Sequence, residues 1–330
     1  VGNDTDPYSL QPYFQFLSQP YGSQLLGTES NILPNPNLRP ERLTTFEVGA
    51  DVRFFGRRLG LDLTYFNNKS VDQIIRIPVS QTSGYGAKFI NAGEINTQGI
   101  EALVTVIPVR SPNFSWEAGM NFSLNRSTIV RLNDDLNTYQ LSGNYVSVLA
   151  QEGERMGDVY GTGFVVIDPE TQERVEINDV SEIKDSYGHL YENGFPVRDP
   201  NLRKLGNYNP DFMVGMTNTF TYKNFSLRAL VDWRQGGVVF SRTLLIGGTS
   251  GMMQETAEYN RETQTFIGGQ TKVTGVETLN RTGYKWDEEQ GRYVENDVEV
   301  SARDFYWSQM NRGNEEVGMY DASFVKLREL

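Results

Sequence analysis

Phe114-Ser115-Trp116-Glu117-Ala118-Gly119-Met120-Asn121-Phe122-Ser123-Leu124-Asn125 decides how the rest of the chain is read. Phe114, Trp116, Ala118, Met120, Phe122 and Leu124 share one face; Ser115, Glu117, Gly119, Asn121, Ser123 and Asn125 share the other. A repeat of two is the side-chain period of an extended strand. The run is longer than the ~5–6 residues of an ordinary globular strand. It matches the ~9–11 residues that a tilted strand needs to cross a bilayer.

Working outward, the same alternation recurs. Thr44, Phe46, Val48, Ala50, Val52 and Phe54 oppose Thr45, Glu47, Gly49, Asp51 and Arg53. Leu59 to Tyr65, Ile100 to Val106, Phe212 to Tyr222 and Leu227 to Trp233 behave alike. These patterns predict strands at 43–55, 59–77, 98–107, 114–126, 211–222, 226–240 and 320–330. Phe46, Val48, Trp116, Met120, Phe122, Met216 and Val231 are expected to face lipid. Glu47, Asp51, Glu117, Asn121 and Arg228 are expected to face a lumen.

The connections fall into two kinds. Gly56-Arg57-Arg58, Pro108 to Asn113 and Lys223-Asn224 are short and polar, with Gly, Pro or Asn at the bend. Aromatics flank them: Phe54 and Phe55, Phe114 and Trp116, Phe220, Tyr222 and Phe225. Residues 80–97 read as a medium loop, whereas 130–208 and 242–319 far exceed the ~12–15 residues of ordinary loops. Short turns opposite long loops, with aromatic girdles, are the asymmetry of outer-membrane barrels: turns periplasmic, loops extracellular. The fold class expected is therefore all-β, a transmembrane antiparallel β-barrel with long extracellular loops. A soluble or adhesive β-sandwich also alternates, but it explains neither the strand length nor the loop asymmetry. Seven strands do not close an even-numbered barrel, so the chain reads as a single-domain barrel fragment.

Composition narrows the functions. Cysteine is absent and His189 is the only histidine among 330 residues, which excludes Cys chemistry and multi-His metal sites. A net charge of −12 argues against nucleic acid. No apolar run approaches the ~18 residues of a membrane helix, and a barrel needs none. Asp134-Asp135, Asp287-Glu288-Glu289 and Glu315-Glu316 read as solvated acidic loop faces and not as a catalytic pair. Asn133, Asp135 and Asn137 alternate as in a calcium loop, but Thr138 and Asn144 stand where Gly and a bidentate Glu belong. No metal and no cofactor are expected. His189, between Gly188 and Leu190, reads as an exposed polar residue without a partner. Tyr284, Trp286, Tyr293, Tyr306 and Trp307 crowd the last long loop. They either anchor it internally or contact a partner or substrate.

Five ordered motifs add a resemblance. Asn35-Pro36-Asn37-Leu38-Arg39-Pro40-Glu41 is similar to the start of a strand in the SusC-like branch of TonB-dependent outer-membrane transporters. Gly2-Asn3 resembles the end of its "Gly-Asn" motif. Gly93-Glu94 with Gly99-Ile100-Glu101 resembles its "G-E-x-x-N-x-G-x-E" stretch, with Thr97 in place of the family's Asn. Leu205-Gly206-Asn207-Tyr208-Asn209-Pro210-Asp211, followed by Tyr222-Lys223-Asn224-Phe225, resembles its "G-N-x-x-P-x … Y-K-N-F" hairpin. Asp321 to Arg328 resembles its "D-x-S-F-x-x-L-R" strand. The resemblance implies a bacterial outer-membrane location and a plugged barrel of 22 strands, with plug and TonB-contacting segment N-terminal to these residues. It also implies a SusD-like surface lipoprotein as partner and import of glycans or oligopeptides. Another TonB-dependent receptor, for a siderophore or vitamin, stays open beside it. The motif residues themselves read as marks of the fold carrying no chemistry.

Overall fold

The computed structural model describes residues 6–19, 21–133, 136–257, 265–273, 277–309 and 314–330. Gly2-Asn3, Asp134 and Asp135 lie outside the described residues. The centre is a seven-stranded antiparallel sheet in which sequence neighbours pair throughout. Its strands are β1 Arg42–Phe54, β2 Leu59–Val71, β3 Glu94–Arg110, β4 Phe114–Arg131, β5 Phe212–Tyr222, β6 Phe225–Gln235 and β7 Phe324–Glu329.

The register carries the alternation across the whole sheet. Val52, Leu61, Val104, Met120, Met216, Val231 and Leu327 stand side by side in one row, one from each strand. Two residues further along, Ala50, Leu63, Ala102, Phe122, Val214, Trp233 and Val325 form a second apolar row. Between them runs Asp51, Asp62, Leu103, Asn121, Gly215, Asp232 and Lys326, pointing to the opposite face. A slip of one residue between β1 and β2 would bring Asp62 into an apolar row, and one between β5 and β6 would do the same with Asp232, so the pattern fixes the register there. The rows form one apolar and one polar face, as a membrane barrel requires.

At the short-turn end, Phe55, Gly56 and Arg57 all adopt positive φ, and Lys223 does so in the two-residue link between β5 and β6. Pro108 sits inside a bulge between Val106 and Val109, where no ladder donor is needed. Trp116 stacks on Phe220 at 5.6 Å near this end, while Phe55 and Phe225 are almost fully exposed.

The long loops are folded. Residues 80–97 include a strand, Ala87–Asn91, and the start of β3. Residues 59–77 and 226–240 each break into a wall strand and a separate outer strand, Ile74–Pro78 and Val238–Phe240. The first long loop builds a four-stranded sheet from Thr138–Gly143, Ser147–Gln151, Asp158–Phe164 and Arg198–Asn207. A second sheet is shared between both loops. Gly188–Glu192 of the first pairs in parallel with Gly283–Asp287 of the second, through His189↔Gly283 and Leu190↔Tyr284. One core also draws on both: Phe164 and Tyr191 pack with Leu245, Phe266, Leu279, Phe305, Tyr306 and Val317. Each such side chain contributes roughly 1.5–3 kcal/mol on burial. The two loops are therefore one body, called here the cap.

Candidate functional site

Three of the five aromatics singled out in the sequence surround an open cleft of about 800 Å³ or form its sheet. Trp286 and Tyr293 are cross-strand partners on the hairpin Gly283–Asp287/Arg292–Glu295, their rings edge-to-face at 5.1 Å. Arg174, Glu192, Asn193, Lys285 and Glu288 add charged and polar groups to the lining, and Tyr191 and Val298 add apolar surface. Tyr284, on the same strand, is half-buried. The Tyr293 amide donates to Gln172 Oε1 (2.6 Å), and Arg174 Nε donates to the Tyr293 hydroxyl (3.3 Å). These bonds join the two outermost hairpins of the sheet, curling it around the cleft. Trp286 keeps 45% of its surface exposed, so its ring is free to contact another molecule.

Trp307 lies elsewhere, on the helix Ala302–Gln309, and is 60% exposed. Tyr306 is corrected out of the contact set: it is buried on the inner side of that helix, beside Phe266. Helical spacing puts residues 302, 305, 306 and 309 inward and 307 outward.

His189 is also corrected. It is fully buried, its ring 5.1 Å from Phe164, and neither nitrogen finds a hydrogen-bond partner among the described residues. Burial, reinforced by the Arg281 and Arg203 charges, lowers its pKa to about 3, so it is neutral. Beside it lies an ionic joint. Arg203 Nη2 donates to Asp199 Oδ2 (2.7 Å) and to the Phe164 carbonyl (3.0 Å), and Arg203 Nη1 lies 3.8 Å from Glu316 Oε2. Thr278 Oγ1 donates to Glu316 Oε1 (2.5 Å), while Glu315 accepts from the Thr162 amide and hydroxyl. Glu315-Glu316 is thus no solvated face: it fastens the second loop to the strand Asp158–Phe164 of the first. Burial raises the Glu316 carboxyl above its ordinary pKa. Asp287 has a turn-forming role, accepting from the Glu289 and Gln290 amides.

The motif residues assemble where wall strands give way to outer structure. The β2–β3 ladder stops at Val71↔Glu94, and pairing resumes in a separate sheet at Ile74↔Asn91. Asn91 Nδ2 donates to the Arg39 and Asp72 carbonyls (both 2.8 Å), and Asn91 Oδ1 accepts from the Arg39 backbone amide (2.7 Å). Glu41 Oε1 accepts from the Ile74 amide, and Arg39 pairs with Asp72 at 2.6 Å. Between β4 and β5, Asn207 and Asn209 both donate to the Met156 carbonyl (3.0 and 2.8 Å), and Arg155 donates to the Pro210 carbonyl (2.8 Å). Between β6 and β7, Ser323 Oγ accepts from the Gly236 amide (2.8 Å), and Asp321 Oδ1 accepts from the Ser323 amide and hydroxyl. Gly236 and Gly237 both have positive φ there, which favours glycine.

A wall with one continuous apolar face, aromatic turns and a folded cap on the long-loop side defines an outer-membrane β-barrel. The family described as TonB dependent receptor-like, beta-barrel matches residues 7–290, and this chain belongs to it as a SusC-like member of the outer membrane. TonB-dependent receptor P3 of Formosa agariphila is 27% identical over 268 residues, 78% of this chain and 27% of its own length. TonB-dependent receptor SusC of Bacteroides thetaiotaomicron is 24% identical over 260 residues, covering 70% of this chain and 24% of that protein. The chain thus spans about a quarter of these curated relatives. The RagAB peptide importer in its "closed-closed" state shares the fold, with a TM-score of 0.61 at 18% identity, over 99% of this chain and 32% of that one. These relatives are receptors and transporters, not enzymes.

Proposed function

We propose that this chain is the wall and cap of a TonB-dependent importer that takes nutrient oligomers, glycans or oligopeptides, across the outer membrane together with a SusD-like surface lipoprotein. Its part in transport is binding and passage, with no catalysis. The reading is carried by the cap: two long loops fold into one body on the rim of a membrane wall of the SusC-like family. That body offers exposed aromatics, Trp286 and Trp307, in polar surroundings. Aromatic side chains in such settings dominate recognition, while rim charges contribute little.

The test uses the full-length transporter with its native lipoprotein. Trp286→Ala and Trp307→Ala are each assayed for lipoprotein co-purification and cargo uptake, with Glu288→Ala as a rim-charge control. Loss with either tryptophan but not with the control supports the reading. Unchanged co-purification and unchanged uptake in both would reduce these residues to solvated surface. Uptake of an iron chelate or vitamin in place of oligomers would favour the siderophore-type receptor.

A further inference from the structure

We propose that Asn207, Asn209 and Ser323 are positioning residues that lock the cap to the barrel rim. The cap is then a fixed wall of the extracellular vestibule and does not swing. This goes beyond the import reading and needs neither cargo nor lipoprotein.

Each seam interrupts a ladder, and the interruption frees backbone donors and acceptors that must be paired again. At the β4–β5 seam the last ladder pair is Ser123↔Met213. Beyond it, the segment Gly153 to Met156 takes the place of β5: Met156 donates to the Ser127 carbonyl, Ile129 to the Glu154 carbonyl and Gly153 to the Ile129 carbonyl. This inserted segment belongs to the cap; Asn209, on the way into β5, holds its Met156 carbonyl, and Asn207, the last residue of the cap strand Arg198–Asn207, bonds the same carbonyl at the junction. At the β6–β7 seam the ladder ends at Arg234↔Phe324 and restarts at Val238↔Asp321. The intervening Gly236 amide is taken by Ser323 where the paired strands Val238–Phe240 and Met319–Asp321 lead into the cap, on whose core Phe240 packs. The seams are tied to each other, because Arg234 Nη2 donates to the Tyr208 carbonyl (2.7 Å).

A third attachment reaches β3, where Ile95 packs on the cap and the Gly93 amide donates to the Leu132 carbonyl. Ile129, Leu132 and Ala150 form a small buried cluster, and the Leu132 amide donates to Glu152 Oε1 (2.7 Å). A rigid body held at one point pivots and at two points rotates about their line; a third point off that line stops it. The cap is one body by its shared core and its parallel strand pair, so local clasps fix it as a whole. Small amides and hydroxyls suit the task, since they bond backbone at short range with little rotamer entropy to lose.

The experiment places spin labels at Glu289→Cys in the cap and Asn224→Cys in a short turn of the full-length protein, and measures their distance distribution. The unmodified clasps should give one narrow peak. Asn207→Ala with Asn209→Ala, and separately Ser323→Ala, should lose that single peak for a broad distribution while retaining the heat-modifiable barrel. Ser323→Thr keeps the hydroxyl and should restore the narrow peak. A broad distribution with intact clasps overturns the proposal, as does a narrow one in both alanine variants. Failure of Ser323→Ala to assemble a barrel also overturns it, since the residue would then serve wall folding. The readout is geometric, so loss of the import reading would leave it standing.

Discussion

Arginine at position 120 of the wall is expected to cost several kcal/mol, and arginine at the adjacent position 121 next to nothing. Met120 stands six positions along β4 from Phe114 at the short-turn end. At ~3.3 Å per residue along the strand and a tilt of about 40°, it lies roughly 15 Å into the membrane. That is close to the middle of an apolar band about 25 Å tall. Its row neighbours are Val104 and Met216, with Leu61 and Val231 beyond them, so no lateral partner is available for a guanidinium. The cost of Met120→Arg should be about 2–4 kcal/mol. Asn121 shares its row with Asp51, Asp62 and Asp232 and lies over Gly215. Arg there meets water and carboxylates, so Asn121→Arg should stay within about 0.5 kcal/mol of the parent. Denaturant titration of the full-length protein folded into lipid vesicles reads both values. Equal tolerance at the two positions, or a larger loss at 121, would refute the assignment of faces.

The cap carries two more expectations. His189 has a folded pKa of about 3 against 6.5 unfolded, so below pH 6.5 the unfolded chain takes up a proton that the folded cap refuses. Cap stability should therefore fall as pH drops from 6.5 toward 3, by about 1.4 kcal/mol per unit. His189→Leu should remove that slope in hydrogen-exchange protection of residues 188–192; an unchanged slope would place the titration elsewhere. Lys204 Nζ lies 3.1 Å from the buried Asp158, 3.4 Å from Glu154 and 3.5 Å from Asp179. Burial opposes its charge, but the three carboxylates push its pKa up to about 12. Lys204→Met strands Asp158 and should cost about 3 kcal/mol. Adding Asp158→Asn should recover a large part of it, and strict additivity in that double-mutant cycle would argue against the pair.

The wall was legible because its physics is local. Every second residue from Phe114 to Leu124 meets the same environment, and this period survives in single-sequence form. The kinks at Asp72 and Gly236 were not, because a strand that bends keeps its alternation: 59–77 and 226–240 read as continuous. The cap was hidden for a different reason. Its parallel pair His189↔Gly283 joins residues nearly a hundred positions apart, and nothing local announces such a partner. His189 looked solvated between Gly188 and Leu190, but those neighbours are themselves buried. Tyr306 and Trp307 could be separated only once the helix Ala302–Gln309 set which of them points inward. The motifs around Asn35, Asn207 and Asp321 were visible as marks of the fold. That they bond backbone groups freed at broken ladders depends on Asp72, Asn91 and Met156, which no motif includes.

The most direct measurement is sidedness on living cells. Glu289 lies at the tip of the exposed hairpin between Asp287 and Arg292, and residues 1–330 contain no cysteine. Glu289→Cys is made in the full-length transporter and treated with a membrane-impermeant maleimide, alongside the unmodified protein. Labelling of intact cells is expected, placing the cap outside the outer membrane and the short turns in the periplasm. Labelling only after the outer membrane is permeabilised would invert the barrel and contradict the extracellular placement of the cap.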